Sequence, residues 1–129
     1  AKNGQYLLSP DQARNYLRLR LEGLEREEFW TVWLDASSKV IEAECLFVGT
    51  LNETAVYPRE VVRRALHHNA AAVLLAHNHP SGSPEPSDAD VKLTRTLCDS
   101  LSLIDVRVLD HIIIAAPAWP TSLAERGLM

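Results

Sequence analysis

The sequence predicts one α/β domain, built as a single mixed β-sheet flanked by helices. Its 129 residues are the size of one ordinary domain, and a (β/α)₈ barrel of roughly 250 residues is excluded. Segments with helical spacing and segments rich in aromatic or β-branched residues follow one another in the order α-β-β-α-β-α-β. One of these segments, 70–76, is wholly apolar and comes directly after a helical segment, which is typical of a central strand buried on both faces.

The first part of the chain predicts a helix followed by a β-hairpin. Residues 9–12, Ser-Pro-Asp-Gln, have the composition of a helix start, and the apolar spacing that follows predicts a helix ending at 23–26. The aromatic and β-branched segment 29–34 predicts a strand. The polar turn 35–39 then connects it to a second strand over 40–48.

The second part predicts two further helices and two further strands. A helix is expected over 58–68, directly before the buried strand. A loop with three prolines, 77–86, separates that strand from a third helix that begins at Ser87. A last strand is expected over 106–115, while the pattern of the tail 116–129 predicts no particular element.

Composition restricts the classes of partner. Lys and Arg number 13 against 17 Asp and Glu, a net charge of −4, whereas nucleic-acid-binding domains usually carry a basic excess. We therefore do not expect this domain alone to bind DNA. The two cysteines, Cys45 and Cys98, are too few and too far apart for a Cys-based zinc finger. Both lie in apolar segments and are expected to be small buried hydrophobes.

The sequence also predicts where the protein resides. No apolar run approaches the roughly 20 residues that a membrane-spanning helix needs. The first twelve residues lack the basic flank and apolar core of a signal peptide. A cytoplasmic location is the simplest expectation.

Two of the five histidines have the spacing of metal ligands. His77 and His79 come at the carboxyl end of the buried strand, and side chains two residues apart in an extended chain point to the same side. The backbone separation of about 6.5 Å lets both imidazoles reach one ion. The pattern alone is ambiguous, because two surface histidines in a loop would look the same. The zinc deaminases are excluded, since no Pro-Cys-x-x-Cys follows.

The start of the third helix supplies a further candidate ligand. Ser87 as N-cap and Asp90 three residues later form an ordinary helix start, where an acidic residue also suits the helix dipole. The same geometry can serve a metal, because the proline-containing loop turns this helix end back toward the strand. Two imidazoles, one carboxylate and a water make the open, four-coordinate arrangement of a catalytic zinc.

These residues resemble a known motif. His77-x-His79-Pro80, the segment 80–86, and Ser87-x-x-Asp90 match the JAMM motif of the MPN/JAB metallopeptidases. Further motifs along almost the whole chain are similar to those of the bacterial RadC family, whose members are labelled DNA repair proteins. They are His77-Asn78-His79-Pro80-Ser81-Gly82, Pro86-Ser87-x-x-Asp90, Val56-Tyr57-Pro58-Arg59-Glu60-Val61, Asp110-His111 and Ser122-Leu123-Ala124-Glu125-Arg126-Gly127.

The resemblance implies a fold and a domain organisation. Residues 1–129 would form one RadC-type MPN (JAMM) domain with the three-layer, cytidine-deaminase-like arrangement of MPN/JAB proteins. RadC proteins commonly carry an upstream helical, hairpin-type DNA-binding region. The chain is therefore expected to be the C-terminal domain of a longer protein or a short member of the family.

The resemblance also implies roles for individual residues. His77, His79 and Asp90 would bind Zn²⁺, and Ser87 would polarise the substrate carbonyl or stabilise the oxyanion. Glu27, in Glu27-Glu28-Phe29-Trp30, stands where the family has Glu-x-Phe-Trp and would be the general base and acid. Glu28 is the rival, one residue along and pointing to the other face. Both could also be solvated charges of the run 25–28.

The sequence does not decide the roles of two more polar pairs. Asp110 and His111 could support the metal ligands or face the substrate, or they could form a self-contained structural pair, and the functional and structural interpretations have equal weight. His67 and His68 lie at the end of the second predicted helix, where a cation suits the helix dipole, so a structural role is favoured.

The favoured function is a zinc-dependent JAMM-type hydrolase that cleaves a peptide or isopeptide bond of a peptide or protein substrate with metal-activated water. Two alternatives stay open. The domain could be a non-catalytic or DNA-repair-associated interaction module, for which salt-sensitive DNA binding would be the sign. It could also be a metal-dependent phosphodiesterase, with nuclease activity that the same ligand mutations abolish.

Overall fold

The structure, a computed structural model, describes residues 4–49 and 56–129. They form a five-stranded mixed sheet between one helix on one face and two helices on the other, which confirms the predicted fold class. The helices are α1 (Pro10–Leu21), α2 (Pro58–His67) and α3 (Asp88–Ser102), and the strands are β1 (Glu28–Leu34), β2 (Val40–Val48), β3 (Ala72–Asn78), β4 (Arg107–Ile114) and β5 (Thr121–Ser122).

The sheet has the strand order β2-β1-β3-β4-β5, so that β3 is the central strand. β1 pairs antiparallel with both β2 and β3. β3 and β4 are parallel neighbours, and α3 makes the connection between them. The carboxyl end of β3 therefore lies beside the start of β1 and close to the loop that leads into α3.

All seven residues of β3 are buried, as the apolar run predicts. Alternate side chains serve two cores: Leu74 and Ala76 pack toward α1, while Val73 and Leu75 pack toward α2 and α3. The strand extends two residues further than the apolar run, because His77 and Asn78 keep their pairing with β4. In the described part of the chain, no helix has the length and apolar character that crossing a membrane requires.

Three local expectations need correction. α1 ends at Leu21, before the predicted range 23–26, because Glu22 is extended and Gly23 follows with a φ of +85°. Neither cysteine is buried as expected: Cys98 is half-buried, and Cys45 is exposed because it lies on β2, an edge strand that no helix among the described residues covers completely. The tail without a predicted element forms the short strand β5, antiparallel to β4.

A charged cluster holds α2 against the sheet. The Arg64 guanidinium donates to both carboxylate oxygens of Glu44, over 2.9 and 2.8 Å, and the Trp33 indole donates to one of them over 3.0 Å. His68 lies 3.3 Å from the same carboxylate, so its role is structural, as predicted. The hydrogen bonds from Arg64 outweigh partial burial and lower the pKa of Glu44 to about 2.

This cluster predicts a stability that depends on pH. The carboxylate stabilises the fold fully above its unfolded pKa of 4.5, and that contribution is lost as the pH falls toward 2. Glu44→Gln should therefore lower the free energy of unfolding by about 2 kcal/mol at pH 7 and by much less near pH 3. Urea denaturation at both pH values measures the difference. Glu42→Gln, an exposed change on the same strand, should stay within about 0.5 kcal/mol. A gap that is equal at both pH values would contradict the assignment.

Candidate metal centre

Two imidazoles converge at the end of β3. His77 is fully buried within the strand, and His79 follows it in the loop, where its backbone N–H donates to Ile114 over 2.8 Å. This bond continues the pairing with β4, so the chain stays extended and both rings point to the same side. Their Nε2 atoms are 2.8 Å apart.

The first turn of α3 brings a carboxylate to the same point. Asp90 is 1% exposed, and its Oδ1 lies 3.2 Å from Nε2 of His77 while its Oδ2 lies 3.4 Å from Nε2 of His79. A capping box fixes this carboxylate: the backbone N–H of Ser87 donates to Oδ2 over 2.8 Å, and the Ser87 hydroxyl accepts from the Asp90 N–H over 3.0 Å. The predicted helix cap is confirmed, and it also aims Asp90 at the histidines.

These donor atoms fit a divalent metal. Two ligands at 2.0–2.1 Å from a tetrahedral zinc are about 3.3 Å apart, close to the separations between the Nε2 and carboxylate atoms. Nδ1 of His79 lies 2.8 Å from the Ser83 carbonyl, which can only accept, so Nδ1 carries the hydrogen and Nε2 presents a lone pair. Lone pairs that converge in a buried place can hold a cation between them.

The electrostatics of the site favour an ionised Asp90. Burial acts to raise the pKa of Asp90, but the imidazoles of His77 and His79 beside it and the hydrogen bond from the Ser87 N–H outweigh burial and hold that pKa well below its usual range. The Asp90 carboxylate beside His79 favours the protonated imidazole and in turn raises the pKa of His79 against the effect of burial. The Asp90 carboxylate therefore carries a negative charge at neutral pH that a bound cation can neutralise.

A second carboxylate, that of Glu27, lies beside the two histidines. Glu27 directly precedes β1, is half-buried, and offers an oxygen within 4.8 Å of the ligand atoms of His77 and His79. Such a triplet could itself hold a metal, and the Asp90 carboxylate, 3.2 and 3.4 Å from the two Nε2 atoms, contacts the same imidazoles. The structure thus brings two carboxylates, those of Glu27 and Asp90, to the same pair of imidazoles.

The rival glutamate lies elsewhere. The Glu28 carboxylate accepts a hydrogen bond from the Trp30 indole over 2.9 Å and from Arg26 over 3.1 Å. Trp30 lies two residues along β1, on the same face as Glu28, and Arg26 precedes the strand, so Glu28 is held on the side of β1 away from Glu27. Among these two neighbours, the structure brings only Glu27 to the histidines.

Asn78, between the two histidines, explains how Glu27 is placed. Its side-chain oxygen accepts from the Glu28 N–H over 2.8 Å, and its side-chain nitrogen donates to the Arg26 carbonyl over 3.0 Å. The two bonds hold the backbone on both sides of Glu27 against the end of β3. Sequence reasoning did not single out Asn78. The signal that could have found it is the position of an Asn between two candidate ligands.

Asp110 and His111 have separate roles. His111 is fully buried, with Nε2 2.7 Å from Nδ1 of His77 and Nδ1 2.6 Å from the Thr94 hydroxyl. Burial, together with the neighbouring His77, holds the pKa of His111 well below its ordinary value, so the ring is neutral. His111 therefore supports the site, and Thr94 is a contributor that sequence reasoning missed.

Asp110 points to the other face of β4. Its carboxylate accepts from the His111 N–H over 2.7 Å, the Ser122 hydroxyl over 2.6 Å and the Ala124 N–H over 3.0 Å. These bonds anchor the C-terminal tail on the sheet. The structural interpretation therefore holds for Asp110 and the supporting one for His111.

A cavity of about 360 Å³ opens beside His79. Leu21, Leu24 and Ile114 give it apolar walls, and Glu22 and Glu25 add acidic groups. The cavity thus gives access to His79 from the end of α1.

Comparison with known proteins agrees with the geometry. A family model described as a RadC-like JAB domain matches residues 7–128. A UPF0758 protein of Dechloromonas aromatica is 57% identical over 121 residues, covering 94% of this chain and 54% of the relative. A UPF0758 protein of Aromatoleum aromaticum is 60% identical with the same coverage, and one of Vibrio parahaemolyticus is 54% identical over 126 residues, covering 98% and 56%. The chain spans about half the length of these relatives, and by its motifs and its match it belongs to the family of RadC-like JAB domains.

Proposed function

We propose that this domain is a zinc-dependent hydrolase that cleaves peptide or isopeptide bonds. One observation carries the proposal: two imidazole Nε2 atoms and the Asp90 carboxylate converge within 3.4 Å, with the Glu27 carboxylate beside them. Three protein ligands with a fourth position left for water are the arrangement of catalytic zinc sites, whereas structural zinc sites have four protein ligands.

His77, His79 and Asp90 would hold the metal. Zinc bound by such a set acts as a Lewis acid and lowers the pKa of a bound water toward 7. The imidazole and carboxylate donors suit zinc among the available divalent metals. The same donors also bind other first-row metals, so metal preference is part of the test.

Glu27 would move the proton. A general base has to lie within hydrogen-bond reach of the attacking water and then return the proton to the leaving amine. The position of Glu27 near both imidazoles supports this role, with Asp90 taken as the carboxylate ligand. The partial exposure of Glu27 keeps it open to solvent and substrate.

Ser87 would stabilise the developing oxyanion. Its hydroxyl oxygen accepts from the Asp90 N–H, yet its hydrogen is donated to no group among residues 4–49 and 56–129. A hydroxyl accepts and donates at the same time, so the cap and a hydrogen bond to the substrate carbonyl are compatible. The exposure of Ser87 leaves that hydrogen accessible.

The resemblance to JAMM metallopeptidases supports the peptide or isopeptide class of substrate. The acidic groups of the neighbouring cavity and the net charge of −4 disfavour a nucleic-acid phosphate in the same place. A peptidase screen of the full chain, run with zinc and with a chelator, tests the class directly. Chelator-sensitive nuclease activity without any peptidase activity would contradict it.

The first prediction concerns the metal. The full chain should hold one zinc, and Asp90→Asn should weaken zinc binding by more than about 100-fold, since even residues that only support a ligand typically contribute 10–100-fold. Asn keeps the cap, because its side-chain oxygen still accepts from Ser87. Asp88→Asn, an exposed change in the same helical turn, is the matched control. Elemental analysis and competition with a chelating dye measure the outcome, and absence of zinc after loading would contradict the site.

The second prediction separates the two glutamates. Glu27→Gln should leave zinc bound and lower the turnover rate by about 10²–10⁴-fold, because only proton transfer is lost. Glu28→Gln should leave the rate within about threefold, since it removes only a partly exposed ion pair with Arg26. His77→Ala should remove both zinc and activity. If Glu27→Gln lost the metal, Glu27 would be a ligand and the proposed roles would be wrong.

The third prediction tests the two roles of Ser87. Ser87→Asp keeps a capping acceptor but has no hydrogen to donate when ionised, so it should fold normally and lose about 10²-fold in rate. Ser87→Ala should lose both contributions, with about 1 kcal/mol less stability. Thermal unfolding and turnover of the two variants give the answer. A folded Ser87→Asp protein with full activity would reduce Ser87 to a helix cap.

A further inference from the structure

A continuous chain of hydrogen bonds runs behind the candidate metal centre. The Thr94 hydroxyl lies 2.6 Å from the Asp90 carbonyl and 2.6 Å from Nδ1 of His111. Nε2 of His111 lies 2.7 Å from Nδ1 of His77. This series of hydrogen bonds thus begins at the backbone of one candidate ligand, Asp90, and ends at the ring of another, His77.

The donor and the acceptor in each of these hydrogen bonds follow from the first group in the series, the Asp90 carbonyl. The Asp90 carbonyl can only accept, so Thr94 donates its single hydroxyl hydrogen there. The Thr94 oxygen is then an acceptor for His111, and Nδ1 of His111 carries the hydrogen. Nε2 of that neutral ring is left as an acceptor, so Nδ1 of His77 donates to it and Nε2 of His77 keeps its lone pair.

If the hydrogen bonds ran in the opposite direction, His77 could not bind a metal through Nε2. If Thr94 donated to His111, each ring would exchange its tautomer, and Nε2 of His77 would carry a hydrogen where the metal has to bind. The His111 ring has little room to rotate away from Thr94 and His77. It is fully buried, and the Phe29 ring packs edge-on against it at 5.8 Å between centroids.

The two histidines are therefore oriented by different means. His79 needs only the Ser83 carbonyl, an obligate acceptor, to fix its tautomer. His77 contacts a second imidazole, which can either donate or accept, and so its tautomer has to be decided further along the chain. Thr94, one helical turn after Asp90, is the residue whose hydroxyl decides that tautomer.

We propose that Thr94 and His111 form a hydrogen-bond relay that selects the tautomer of His77 and thereby directs its Nε2 lone pair to the metal. Both are positioning residues, and the inference rests on the metal centre proposed above. The relay links α3, β4 and β3, so the helix that provides the Asp90 carboxylate also prepares the His77 imidazole.

The test compares two substitutions at Thr94 in the full chain. Thr94→Val keeps the size of the side chain and removes the hydroxyl, and it should raise the zinc dissociation constant about 10–100-fold. Thr94→Ser keeps the hydroxyl and should stay within about threefold of the wild-type constant. Competition with a chelating dye gives the constants, and circular dichroism checks that both variants are folded.

A second measurement needs no metal and can be made on the wild-type protein. Long-range ¹H–¹⁵N NMR of the metal-free wild-type protein should show His111 protonated at Nδ1 with a bare Nε2, and Thr94→Ser should keep this pattern. His111 protonated at Nε2 in the wild type, or unchanged zinc affinity in folded Thr94→Val, would overturn the relay. A wild-type protein that binds no zinc would overturn the metal centre instead, while the His111 tautomer would still decide the relay.

Discussion

The complete burial of the His77 imidazole is the constraint on which the rest of the site depends. A polar ring without solvent needs a partner for each nitrogen, because an unpaired buried polar group costs about 1–3 kcal/mol. One nitrogen is satisfied by His111 and the other faces His79 and Asp90. The strand that supplies the middle of the hydrophobic core therefore also requires a polar cluster at its carboxyl end.

Much of this arrangement was predictable from the sequence, because the signals are local. The apolar run identified β3, the spacing of His77 and His79 placed both rings on one side, and Ser87 marked the start of α3. Each of these inferences depends on neighbours within a few residues. The resemblance to the RadC motifs selected Glu27 over Glu28, which local spacing alone left undecided.

The parts that sequence reasoning missed depend on contacts across the sheet. Thr94 lies in the interior of α3 and looks like an ordinary polar helix residue until β4 brings His111 against it. Asp110 and His111 are adjacent, but strand alternation sends one to the tail and the other to the site. Cys45 was misjudged because an apolar segment does not reveal whether its strand is at an edge.

The Asn78 side chain has a consequence for protein engineering. Because it bonds to the backbone on both sides of Glu27, the distance between that glutamate and the histidines is set by a contact between two strands, not by β1 itself. Transplanting His-x-His and a helix start into another sheet would reproduce the ligands without the carboxylate beside them. A minimal graft of this site has to include Asn78, the middle residue of the histidine motif, and a neighbouring antiparallel strand whose backbone Asn78 can bind.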